Sequence, residues 1–281
     1  MKKRKLTDTG VAAYARWLRE EERSPGTIEK YLRELRQFAA WLGEREVTKE
    51  RVIQWKQALC AGGREAATVN GKLAAVNSFL SFAGWQDCRV KALKLQRKMF
   101  RESGRALTRE EYQRLTATAR EAGKERLALL METICATGIR VGEVQYITVE
   151  AARQGRTEIS LKGKIRTIIL PAKLCRKLLK YARKNKTASG EVFLTRNGKP
   201  LSRRQIWAEM KALCKYADVE PSKVFPHNLR HLFATAFYRA CKDIAKLADV
   251  LGHSSIETTR IYLLTSGIEH QRQLDQLGLV L

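Results

Sequence analysis

The apolar positions of the chain recur at helical spacing along most of its length, with one interruption by strand-like alternation. Val11, Tyr14 and Leu18 predict a first helix. Pro25-Gly26 marks a turn, after which Ile28, Tyr31, Leu32, Leu35, Phe38, Ala39 and Leu42 follow the 3.6-residue period, with Lys30, Arg33 and Gln37 on the opposite face. A third helix starts near Thr48 and buries Val52, Trp55 and Leu59; a fourth carries Val69, Leu73, Val76 and Phe79. Four such helices suffice for a small bundle over residues 1–90. Periodicity then fades in RVKALKLQRKMFRESGR, and residues 91–105 read as a basic linker, a short surface helix being the competing reading.

Thr108 to Glu111, an N-cap followed by first-turn acids, opens a second domain over residues 106–281. Tyr112, Leu115, Leu127, Leu130 and Ile134 belong to helices that end at the turn Thr137-Gly138-Ile139-Arg140. TEISLKGKIRTIILP then changes to β-branched residues and predicts two strands around Lys162-Gly163-Lys164, with Lys164 near or in the turn. Helices return with Leu174 to Tyr181, Asn197-Gly198 marks a tight turn, and Ile206, Met210 and Leu213 are core-like. In the last stretch His227 and Arg230 stand at i and i+3 on one helical face. Ile244, Leu247, Val250 and Leu251 form a further helix stopped by Gly252, and Ser254 with Glu257 has capping-box spacing for a helix that carries Tyr262 on its third turn. The expected fold is mainly α with one small antiparallel β-sheet, in two domains.

Charge narrows the partner. The 281 residues hold 54 Lys and Arg against 29 Asp and Glu, a formal net charge of +25. A polyanion that releases counterions on binding is the natural partner of such an excess, and nucleic acid is favoured over a membrane surface. No apolar run is long enough to span a bilayer, and the basic N-terminus lacks the apolar stretch of a signal peptide, so the cytoplasm or nucleoid is the default location. The six cysteines are scattered without a CxxC pair and read mostly as small buried apolar residues. His227 and His231 have i, i+4 spacing, but the intervening Asn-Leu-Arg lacks the acid of a metalloprotease pattern, and an adjacent arginine repels a cation.

The ordered motifs resemble one family, the tyrosine recombinases or phage-type integrases. His227-x-x-Arg230-His231, Leu251-Gly252-His253 and Tyr262 match its C-terminal motifs, Ala136 to Glu143 (ATGIRVGE) looks like its first arginine motif, and Leu161 to Lys164 like its lysine motif. The resemblance covers roughly the last two thirds of the chain. It implies a helical core-binding domain on one face of the DNA and a catalytic domain on the other, and a separate arm-site module is not expected at the N-terminus. It implies double-stranded DNA recombination sites as substrate and a homo-tetramer on DNA; whether an accessory directionality factor joins them stays open. No cofactor or metal is expected.

The chemistry fits these residue types. Arg140 and Arg230 offer planar forks of donors to the non-bridging oxygens of a phosphodiester and stay charged. Tyr262 is the candidate nucleophile, a phenol able to attack phosphorus and to leave again. His227 is the candidate base; the resemblance gives His253 as a hydrogen-bond donor to the phosphate and Lys162 as the acid for the leaving 5′ oxygen. Lys164 and Arg166 lie close to Lys162 and compete for that assignment. Glu143 is placed to orient Arg140, and His231 reads as a packing or outer residue. The product the resemblance implies is a 3′-phosphotyrosine with a free 5′ hydroxyl, whose reversal on another strand, through a four-way junction, would give recombination. A related type IB strand-passage or hairpin-resolving enzyme and a non-catalytic DNA-binding protein are the alternatives. The tail beyond Tyr262 carries Ile268, Leu274, Leu277 and Val280 and docks either on its own domain or, as the resemblance suggests, on a neighbouring protomer.

Overall fold

A computed structural model describes residues 4–95, 104–161, 164–262 and 275–277. The chain divides into two compact units, Met1–Arg97 and Lys98–Leu281.

The first unit contains α1 (Asp8–Glu20), α2 (Pro25–Leu42), α3 (Lys49–Ala61) and α4 (Ala66–Phe82). Thr7 and Thr48 cap α1 and α3 through their hydroxyls, which accept otherwise orphaned backbone N–H groups. Pro25 is not in a turn before α2 but in its first turn, where a missing N–H costs nothing. Leu35, Phe38 and Leu42 of α2 pack with Tyr14, Leu18, Val52, Trp55, Val69, Leu73, Val76 and Phe79. Beside this core Lys72 of α4 donates to both Glu34 and Gln37 of α2, and Glu34 and Lys72 are buried. A buried carboxylate is tolerated there because an ammonium partner is buried with it.

The segment after α4 is docked on that helix by two asparagines. Asn77 accepts from the Val90 N–H at 3.1 Å and donates to the Val90 carbonyl at 2.8 Å; Asn70 does the same with Leu93 at 2.7 and 2.9 Å. Each amide side chain thereby satisfies one residue's backbone, as a neighbouring strand would.

The second unit is built on α6 (Glu125–Thr137), whose Leu127, Leu130, Met131 and Ile134 are all but fully buried. Around it lie α5 (Arg109–Glu121), α7 (Val149–Gln154), β1 (Arg156–Leu161), β2 (Lys164–Ile169), α8 (Ala172–Lys184), α9 (Arg203–Lys211) and α10 (Pro226–Cys241). Thr108 and Glu111 form a reciprocal capping box on α5. The strands pair antiparallel, Ile159 opposite Arg166 and Leu161 opposite Lys164. Lys164 is thus the first residue of β2, while Lys162 and Gly163 lie outside the described residues. The rest of the unit comprises α11 (Ile244–Leu251) and α12 (Ile256–Arg260). Ser255, not Ser254, caps α12 by accepting from Glu257 N–H. Tyr262 falls just past this short helix rather than on a third turn. The tail residues Ile268, Leu274 and Val280 lie outside the described residues.

Candidate active site

Three helix ends and a strand meet at the site. α6 stops at Gly138, whose φ of +65° favours glycine and where a Cβ would run into the Phe233 ring. The chain then turns through Ile139 to Arg140 and a short 3₁₀ helix, Val141–Tyr146. α11 stops at Gly252, φ +64°, where a Cβ would meet the Arg166 side chain. Both stops leave carbonyls pointing at the same place. Arg230, on the first turns of α10 and only 2% exposed, donates to the Gly138 carbonyl and, at 2.8 Å, to the Leu251 carbonyl.

Glu143 organises the other two guanidiniums. Its carboxylate is 2% exposed and accepts from Arg140 N at 2.7 Å, Arg140 Nη1 at 2.9 Å and Arg166 Nη2 at 2.5 Å. Arg166 also donates to the Leu251 carbonyl. Its inward direction follows from strand parity, since Arg166, Ile168 and Leu170 share the covered face while Ile165 and Ile169 are exposed. Burial, then the neighbouring Arg230 and Arg140, lowers the Arg166 pKa to about 10, against the pull of Glu143. It remains charged at neutral pH. Among the described residues, three positive charges therefore face one negative charge, an uncompensated excess suited to an anion.

Tyr262 sits beside them, 5% exposed. Its ring stacks on His253 with centroids 6.0 Å apart, meets the edge of His231 at 5.0 Å and lies 6.4 Å from His227. Ala234, Leu247 and Leu251 pack with it. The interaction of the phenol with the Arg230 guanidinium partly offsets the lowering of the Arg230 pKa by burial and by Arg140. His253 Nε2 is 3.0 Å from Arg230 Nη2, and its Nδ1 is 2.9 Å from Thr259 Oγ1. Burial, followed by the cationic neighbours, drives the His253 pKa down to about 4, and the same two causes lower that of His227, at the exposed first turn of α10. Both rings are neutral at pH 7. His231 is partly buried, with Nδ1 3.2 Å from Thr235 Oγ1.

Of the residues singled out from sequence, Arg140, His227, Arg230, His253 and Tyr262 come together here, and Lys162 lies outside the described residues. Sequence reasoning weighed Arg166 only as a competitor of Lys162 for the acid's role and not as a partner of Glu143 and the Leu251 carbonyl, although a lone arginine at an inward strand position was a signal for it. Thr259 carried no comparable signal. The exposed fork of Arg140, the buried fork of Arg230 and a phenol among imidazoles define a centre for attack on a phosphodiester.

Comparison with known proteins agrees with this geometry. The family model for the phage integrase family matches residues 105–266, and that for the phage integrase N-terminal SAM-like domain matches residues 11–87. The chain is 31% identical over 278 residues to the tyrosine recombinase XerC of Roseiflexus castenholzii, covering 90% of this chain and 87% of the relative. It is 28% identical over 276 residues to the tyrosine recombinase XerA of Thermococcus kodakarensis, covering 95% and 94%. Its fold is similar to that of a lambda integrase fragment solved as a dimer on a COC′ core site, with a TM-score of 0.73 at 16% identity over 91% of this chain and 94% of that one. The chain belongs to the phage integrase family and is a tyrosine recombinase, an enzyme of site-specific DNA recombination.

Proposed function

We propose that the site cleaves one DNA strand through Tyr262 and rejoins it to another. The observation that carries this reading is a cluster of three guanidiniums around one buried carboxylate and the Leu251 and Gly138 carbonyls, with the buried Tyr262 phenol interacting with one of them, Arg230. Arg140 and Arg230 take the non-bridging oxygens of the scissile phosphate; in the free protein some of their donors rest on the Leu251 and Gly252 carbonyls, which substrate oxygens replace. Tyr262 Oη attacks phosphorus, its proton passes to His227, and the 5′ oxygen leaves with a proton from Lys162. His253 donates to a non-bridging oxygen. The phosphotyrosine conserves the energy of the broken bond, so attack by a 5′ hydroxyl from another duplex completes an exchange without an external energy source.

Each chain supplies one Tyr262, and two duplexes have four strands to exchange, so the working assembly is a homo-tetramer on paired recombination sites, acting on nucleoid DNA in the cytoplasm. The unit Met1–Arg97 serves as the core-binding domain. The cationic excess supplies salt-sensitive backbone affinity, and helices of both units read base edges. The test is a nicked duplex from DNA flanking the gene, in which loss of a short fragment traps the intermediate. Wild-type protein should form a denaturant-resistant adduct and Tyr262→Phe none; an adduct that persists in the variant would remove Tyr262 from this role.

A further inference from the structure

His253 is held at both ring nitrogens, and the chemistry of its two holders decides which nitrogen carries the proton. Nε2 lies 3.0 Å from Arg230 Nη2. A guanidinium only donates, so Nε2 accepts. A neutral imidazole then carries its proton on Nδ1, and Nδ1–H donates to Thr259 Oγ1 at 2.9 Å. Thr259 is fully buried, with 0% exposure, in the short helix that leads to Tyr262.

The proposed reaction asks the opposite of this ring. When a phosphate draws the Arg230 fork away from Nε2, His253 must donate from that nitrogen. The charged and titratable groups facing it, Arg230 and His227 from α10, Arg166 from β2, Arg140 and the stacked Tyr262, include three guanidiniums that disfavour an imidazolium. The ring therefore has to donate while neutral. One proton leaves Nδ1 to solvent and one arrives at Nε2, so charge is conserved, and Nδ1 now needs a donor. A hydroxyl can reverse its role, whereas a carboxylate or carbonyl, which only accepts, would lock the resting tautomer.

We propose that Thr259 is a positioning residue whose hydroxyl holds His253 in the Nδ1–H form in the free enzyme and, by turning from acceptor to donor, in the Nε2–H form when a phosphate is bound. This rests on the reading of His253 as a phosphate donor. The threonine touches no reacting atom; it acts through the imidazole.

Two variants separate the hydroxyl from the packing. Thr259→Ser keeps the hydroxyl and Thr259→Val keeps the shape. Long-range ¹H–¹⁵N correlation on the full chain labelled with ¹⁵N-histidine reads the tautomer, with His253→Asn assigning the resonance. Inorganic phosphate is the probe, titrated until the arginine side-chain signals stop moving. Wild type and Thr259→Ser should show Nδ1–H without phosphate and Nε2–H with it, while Thr259→Val loses this exchange. The same tautomer in all three proteins, or a wild-type ring that does not change with phosphate, would overturn the proposal. On the nicked duplex, Thr259→Val should slow adduct formation by about tenfold to a hundredfold and Thr259→Ser by no more than about twofold, the scale seen when the outer partner of an oriented imidazole is removed. Equal losses in the two variants would assign Thr259 to packing and sink the idea. If the tautomer exchanges as expected but wild type forms no adduct, the fault lies with the assigned reaction and not with Thr259.

Discussion

Replacing Glu143 with Gln keeps the shape of the side chain and removes the negative charge from among three guanidiniums. The carboxylate accepts from Arg140 at two atoms and from Arg166 at 2.5 Å, and is 2% exposed. A unit-charge pair about 4 Å apart is worth about 4 kcal/mol at an effective dielectric near 20. Much of that only offsets the desolvation of burying the groups, and removing one partner of a buried pair costs about 3–5 kcal/mol. Against a domain stability of about 5–15 kcal/mol, the unit stays folded. Its urea midpoint should fall by about 1–2.5 M, taking a slope of about 2–3 kcal/mol per M. The Gln amide can accept from one guanidinium, but its NH₂ then faces the other, so the Arg140 fork loses its fixed direction. Single-turnover adduct formation should drop by about 10²–10³, as when an oxyanion donor is displaced. DNA affinity at fixed salt should not fall, because no positive charge has been removed. A variant whose midpoint and rate both match wild type, or whose rate falls only in proportion to DNA binding, would remove Glu143 from this role.

Other consequences follow from single contacts. Folded His253 has a pKa near 4 and the unfolded residue one near 6.5, so the unfolded chain takes up the proton first. The contribution of the neutral ring is complete above about 6.5 and is lost as pH falls toward about 4; His253→Gln should shrink the drop in urea midpoint between those two values. Asn77→Ala removes both side-chain hydrogen bonds to Val90, and hydrogen exchange of the Val90 amide should speed up while that of α1 amides is unchanged. Gly138→Ala forces a Cβ at φ +65° into the Phe233 ring and should destabilise the second unit by about 1–3 kcal/mol in urea titration.

The legible parts of this protein are those settled by neighbours in sequence. The period of Leu35, Phe38 and Leu42 gave the buried face of α2, and Thr48 and Thr108 gave the starts of α3 and α5. Burial of Glu34 was not legible, because its cause, Lys72, lies on another helix 38 positions away. The start of α12 turned on a choice between adjacent serines. Ser255 takes the extended backbone of a cap, with φ −145° and ψ 132°, a choice that local pattern does not make. At the site, motif order brought forward the residues that would touch a phosphate, and i, i+3 spacing brought forward Glu143 beside Arg140, but the holders that come from further along the chain were not legible. Arg166 needs Glu143, 23 positions earlier, and Leu251, 85 positions later, before an inward charge on a strand makes sense.

Mass spectrometry of the adduct reads which residue forms the covalent bond to DNA. Adduct made on the nicked duplex is digested with trypsin and nuclease, and the released DNA end is offered to a kinase without prior phosphatase. If Tyr262 is the nucleophile, a nucleotide is attached through its 3′ phosphate to the peptide that follows Arg260 and contains Tyr262, and the DNA end labels directly as a 5′ hydroxyl. A nucleotide on any other peptide, or a released end that labels only after dephosphorylation, would contradict that assignment.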